Sequence, residues 1–145
     1  MPRHASRSPR PSRPPRPSRP PLPTDAELEI LRVLWARGPS TVRDVHAALG
    51  SDTSYTTTLK LLQNMHDKGI VRRDDSRRQH VYEARADEAS TLGSLVSRVV
   101  DRMFNGSAAA LALHALGGRS ATREELAELK RLIRAMERRE GEGGG

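Results

Sequence analysis

The residues best suited to chemistry lie between Ser54 and Ala84, and that chemistry is hydrogen bonding to nucleic acid rather than bond breaking. Thr56, Thr57, Lys60, Gln63 and Asn64 recur at spacings that put them on the outward side of a helix whose inward set is Thr58, Leu61, Leu62 and Met65. Hydroxyl, ammonium and amide groups on such a face can donate to phosphate oxygens and read base edges in a major groove. A solvated helix surface is the plain alternative for polar residues. Three adjacent threonines argue against it, because β-branched side chains are poor choices for an exposed helix that needs only solubility. Tyr55 at the start of this helix and Arg43 on the helix before it join the candidate set.

The elements that must position these groups can be read on either side. The helix spans roughly Tyr55 to Lys68 and Gly69 closes it. A short apolar strand (Ile70 to Arg73), a charged turn (Asp74 to Gln79) and a second strand (His80 to Ala84) follow, giving a helix and then a β-hairpin. That is the back half of a winged helix-turn-helix. Arg77 and Arg78 in the turn are placed to reach a phosphate backbone or a minor groove, although a charged turn tip can also be only a soluble loop. His80 and Tyr82 read as structural. Upstream, Thr24-Asp-Ala-Glu27 is a capping box that opens a helix with Leu28, Leu31, Val33, Leu34 and Trp35 inward, stopped by Gly38-Pro39. Thr41-Val-Arg-Asp44 repeats the pattern and opens a short helix with Val42, Val45 and Leu49 inward, and the polar run after Gly50 makes the turn.

The C-terminal third has a different character. Leu92, Leu95, Val96, Val99, Val100, Met103 and Phe104 recur at helical spacing, as do Leu126, Leu129, Leu132, Ile133 and Met136, with Leu111, Leu113 and Leu116 between them. A three-helix domain with a wing is too small to hide so many apolar side chains. Burial across a two-fold axis would, at roughly 25 cal/mol for each Å² removed from water. Folding back onto the same chain is the alternative. Leu92, Leu95, Val96, Val99, Met103, Phe104, Leu111, Leu126, Leu129 and Ile133 are the expected dimer contacts.

Length and charge bound these readings. At 145 residues there is room for one ordinary domain, or for one small domain plus an oligomerisation segment. The net charge is +7, but residues 1–22 hold six arginines and no acid, which leaves nineteen basic against eighteen acidic side chains elsewhere. Attraction to nucleic acid must therefore come from a local patch or from the arginine-rich stretch. That stretch, taken to residue 23, carries nine of the ten prolines and a repeated PRPSRP, so disorder is expected. It reads as a basic arm for phosphates, as an unselected extension upstream of the true start, or as a proline-rich ligand for a partner domain. The expected organisation is a disordered tail over 1–23, a winged-helix DNA-binding domain over 24–85, a helical dimerisation domain over 86–139 and a flexible glycine-rich end over 140–145. The fold class is mainly α with a small β-hairpin.

With no cysteine, disulfides and thiolate metal sites are excluded. His4, His46, His66, His80 and His114 are scattered without the spacing of a metalloprotease helix, and no Gly-rich phosphate loop or nucleophile elbow occurs. No enzyme, no metal and no cofactor are expected. No apolar run approaches the ~20 residues that span a bilayer, and the N-terminus lacks a signal-peptide core. A cytoplasmic protein without membrane insertion is the reading.

The stretches DAELEILRVLW, TVRDVHAAL, YTTTLKLLQNMHDKGIVRR and HVYEA resemble the penicillinase-repressor family of bacterial transcription regulators, the BlaI, MecI and CopY group. Tyr55-Thr56-Thr57 together with Lys68-Gly69-Ile70-Val71-Arg72 is the most specific part, and the resemblance continues to about residue 136. It implies a homodimeric repressor on an inverted-repeat operator in double-stranded DNA. In the penicillin-resistance members it further implies release by proteolysis in the dimerisation region, driven by a membrane metalloprotease sensor. Those members are cut between an asparagine and a phenylalanine; here Phe104-Asn105-Gly106 runs into Ser107-Ala108-Ala109-Ala110 and the Asn-Phe pair is absent. The copper-responsive branch carries a cysteine cluster that this chain lacks, so copper(I) sensing through thiolates is dropped. Two readings compete with the repressor: a winged-helix module that meets a protein, and a repressor controlled directly by a small ligand.

Overall fold

The computed structural model describes residues 21–50 and 52–143. The tail expected over residues 1–23 lies, through residue 20, outside the described residues. The chain divides into two compact units, with the boundary between Leu95 and Val96.

The first unit begins with α1 (Asp25–Arg37), α2 (Val42–Leu49) and α3 (Tyr55–Lys68), each opened by a hydroxyl cap. Thr24 and Thr41 form the expected capping boxes with Glu27 and Asp44, so four backbone donors that helix ends leave orphaned find partners. Gly69 ends α3 at φ 81°, ψ 17°, and the Ile70 N–H donates back to the Met65 carbonyl at 2.9 Å. That left-handed turn suits glycine, and a Cβ there would also stand 3.4 Å from Arg85 Nη1.

The expected hairpin is present as β2 (Val71–Asp74) and β3 (Val81–Ala84), paired antiparallel with Arg73 opposite Tyr82. A two-residue strand, β1 (Ser40–Thr41), adds to its other side, so the sheet has three strands in the order β1-β3-β2. The sequence predicts a hairpin alone here. Two residues have no periodicity to detect, and their partner lies forty residues on in the chain. The pairing fixes the wing to the α1–α2 connection.

The core comprises Ile30, Leu31 and Leu34 from α1, Val42 and Val45 from α2, Leu62 and Met65 from α3, and Ile70, Val71 and Tyr82 from the hairpin. Trp35 packs partly against it and donates its indole N–H to the Ala86 carbonyl at 2.9 Å, tying α1 to the segment that leaves the hairpin. Glu27 is buried too, with its carboxylate held by Lys68 Nζ at 3.0 and 3.1 Å.

α4 (Glu88–Met103) crosses the unit boundary, and α5 (Ala108–Gly117) and α6 (Arg123–Gly143) complete the second unit. Asp87, Ser107 and Thr122 cap their first turns. Between α4 and α5, Asn105 and Gly106 adopt φ of 52° and 82°, and Phe104 meets His114 at a ring distance of 5.9 Å. α5 and α6 bury no residue. Met103, Leu113, Leu126, Leu132, Ile133 and Met136 stand exposed, Met103 and Leu113 by about three quarters. α6 continues to Gly143, into the stretch expected to be a flexible end, because adding a terminal residue to a long helix costs far less than starting one.

Candidate nucleic-acid interface

α3 is built so that one side is core and the other is free. Thr58, Leu62 and Met65 point inward and are fully buried, while Thr56, Thr57, Lys60, Gln63 and Asn64 are exposed. Thr56, Lys60 and Gln63 follow i, i+4, i+7 spacing, and Thr57, Lys60 and Asn64 follow i, i+3, i+7, so the five form one polar surface.

The three consecutive threonines have three different fates. Thr58 is core, its hydroxyl donating to the Ser54 carbonyl at 3.1 Å. Thr57 belongs to the cap: Ser54 Oγ accepts from the Thr57 N–H at 3.1 Å and donates to Thr57 Oγ1 at 2.9 Å. Since Thr57 Oγ1 already accepts, its own hydrogen remains available to an outside acceptor. Thr56 is exposed. Thus β-branching at Thr58 serves packing, and Thr56 and Thr57 are the two threonines left on the exposed side of α3.

The N-terminal end of α3, like that of α5, has no acid in its first turn, whereas α1, α2, α4 and α6 each carry at least one there. Its partial positive charge is left uncompensated, which favours an anion such as phosphate near Tyr55, Thr56 and Thr57. Tyr55 is 48% exposed, and its ring meets His46 of α2 edge-on. Arg43, the second residue of α2, is exposed.

The turn between β2 and β3 has an internal frame. Asp74 Oδ1 accepts from the Ser76 N–H at 2.9 Å, and the Ser76 hydroxyl and amide, with Arg77 nearby, hold the Asp74 carboxyl below its ordinary range. Arg73 Nε donates to Asp75 at 2.7 Å, and His80 Nε2 lies 3.7 Å from the same oxygen. Asp75, and then Tyr82, make the Arg73 guanidinium still harder to deprotonate. Arg77 and Arg78 are exposed and, among the described residues, form no ion pair, as is also true of Lys60.

Every residue assigned from the sequence to DNA contact therefore lies on the surface of the first unit: Arg43 on α2, Tyr55, Thr56, Thr57, Lys60, Gln63 and Asn64 on α3, Arg77 and Arg78 in the hairpin turn. Sequence reasoning missed Ser54, whose cap arranges Thr57, and His46, whose role depends on a fold-dependent contact. The signal for Ser54 was available, since a serine directly before an apolar helical period is a cap. Among the described residues no cluster of His, Asp and Glu could hold a metal ion, and no helix is long and apolar enough to cross a membrane.

The Bacillus licheniformis penicillinase repressor is 24% identical over 121 residues, which covers 82% of this chain and 94% of that protein. The transcriptional regulator BlaI of Mycobacterium tuberculosis (strain H37Rv) is 32% identical over 94 residues, 62% of this chain and 68% of its own. Among solved structures, the DNA-binding domain of the repressor BlaI is 29% identical with a TM-score of 0.44, covering 48% of this chain and 88% of that one. The family model described as "Penicillinase repressor" matches residues 23–135, from just before the first helix cap to well inside α6. The chain belongs to the penicillinase repressor family.

Proposed function

We propose that the chain is a homodimeric transcriptional repressor that binds an inverted-repeat operator in double-stranded DNA. In this reading α3 enters the major groove. Thr56, Lys60, Gln63 and Asn64 meet base edges and flanking phosphates, Tyr55 and Thr57 hold a phosphate at the helix N-terminus, Arg43 adds a backbone contact, and Arg77 or Arg78 reaches the duplex from the wing. The observation that carries the reading is the free polar side of α3, with an acid-free N-terminus and with Lys60 on α3 and Arg77 and Arg78 on the wing forming no ion pair among the described residues.

A single copy of this surface touches few base pairs, so useful selectivity asks for two. Val96, Met103, Leu113, Leu126, Ile133 and Met136, exposed on α4, α5 and α6, support pairing of two copies through the C-terminal unit. Two half-sites about 10 bp apart, or a multiple of that, would then be read together. Proteolysis in the exposed turn from Asn105 to Ser107 would divide that unit and release the operator. The protein works in the cytoplasm in this reading.

Selection from a random-sequence duplex library with the purified full-length chain tests the proposal. Enrichment of a palindrome is the expected result. A library that emerges unenriched from rounds in which the protein stays folded contradicts it.

A further inference from the structure

We propose that His46 is a positioning residue for the end of α3 that meets DNA; the inference rests on the reading of α3 as the duplex-facing helix. His46 sits in the last turn of α2, half-buried, with Nε2 2.9 Å from the Thr53 carbonyl oxygen. A carbonyl can only accept, so this nitrogen carries a hydrogen and donates, whether the ring is neutral or charged. The same ring meets Tyr55 at a centroid distance of 5.7 Å and 81°, the edge-to-face arrangement that aromatic pairs favour.

These two contacts fall on either side of Ser54, the N-cap of α3. The cap's own bonds run to Thr57 and Thr58, so they hold α3 to itself. Among the described residues, the His46 bond to Thr53 is the hydrogen bond that ties α2 to the turn before α3. Apolar contact through Val45 and Leu62 keeps the two helices packed, but such contact is non-directional and tolerates small slides and rotations. A directional bond at one side of the cap and a ring contact at the other fix where Tyr55, Thr56 and Thr57 stand. Base reading needs placement within about 0.5 Å, whereas phosphate attraction does not. Loss of His46 should therefore cost discrimination between sequences more than general affinity for DNA.

The test uses the full-length chain, a duplex enriched by the wild type from a random library, and a scrambled duplex of the same composition. His46→Ala removes both contacts, His46→Phe keeps a ring without the donor, and His46→Gln keeps a donor at the distance of Nε2. The expected result is a fall of about tenfold in the ratio of enriched to scrambled affinity for His46→Ala and His46→Phe. His46→Gln should recover most of that ratio. Affinity for the scrambled duplex and its salt dependence should stay within about twofold. A parallel ¹⁵N-histidine spectrum of the DNA-free protein should show the Nε2–H form at His46.

An unchanged ratio in His46→Ala overturns the role of His46 alone. So does an equal loss on both duplexes that tracks a lowered melting temperature, or a ring in the spectrum with no hydrogen on Nε2. A wild-type chain that cannot tell the two duplexes apart overturns the duplex reading itself, and this inference with it.

Discussion

At the scale of single residues, Glu27 does two jobs at once. It closes the capping box of α1 and lies 1% exposed beneath the ammonium of Lys68. Burial pushes its carboxyl up, but the Thr24 N–H and then Lys68 outweigh this and leave it below the ordinary carboxylate value. A group whose folded value lies below its unfolded value stabilises the fold at neutral pH, and that contribution is lost as pH falls from about 4.3 through the lower folded value. Glu27→Gln should therefore cost about 1–3 kcal/mol at pH 7, because Lys68 loses its partner and the cap its charge. Urea denaturation checks this: the gap between wild type and variant should shrink as the pH is lowered below about 4. Parallel stability curves across that range would rule the pair out as a contributor.

At the scale of elements, the six helices among the described residues each begin with a side-chain cap, and Thr122 with Glu125 adds a third capping box. Thr122 holds the Glu125 carboxyl below its ordinary value. Ser54→Ala should destabilise the first unit by about 1 kcal/mol, read as a lower denaturation midpoint with an unchanged slope. Gly69→Ala should cost a similar amount or more, since it puts a Cβ on a left-handed residue beside Arg85. The limits of α3 were legible in the sequence because Leu61, Leu62 and Met65 keep helical spacing and Gly69 stops it. The outward residues of α3 were legible for the same reason, as the complement of that apolar set. Burial of Glu27 was not, because a carboxylate enters a core only when a partner such as Lys68 arrives from another element. Nor was the contact of His46, which depends on how the turn after Gly50 folds back. Ile30 is fully buried, whereas Leu28, expected to face inward, is only half-buried. Both fit a helical period, and which one faces the core depends on the angle at which α1 packs.

At the scale of the whole molecule, the second unit leaves more large apolar side chains exposed than a monomer in water favours, among them Leu113, Leu132, Ile133 and Met136. Covering a Leu, Ile or Met side chain contributes about 1.5–3 kcal/mol, so a few of them support a stable pair. Sedimentation of the full-length protein should give a dimer, and Ile133→Glu should shift it toward monomer. The same variant should weaken binding to a palindromic duplex while leaving binding to a half-site nearly unchanged; a dimer that persists would move the interface elsewhere. The central claim, that α3 reads bases while the wing grips the backbone, is met most directly by one titration series. Wild type, Asn64→Ala and Arg77→Ala are titrated against the enriched palindrome and its single-base-pair variants at several salt concentrations. Asn64→Ala should lose about 1–3 kcal/mol and relax selectivity at particular base pairs only. Arg77→Ala should weaken all duplexes alike and lower the salt slope by about one. If both substitutions leave affinity, selectivity and salt slope as in the wild type, this surface does not meet the duplex and the account is wrong.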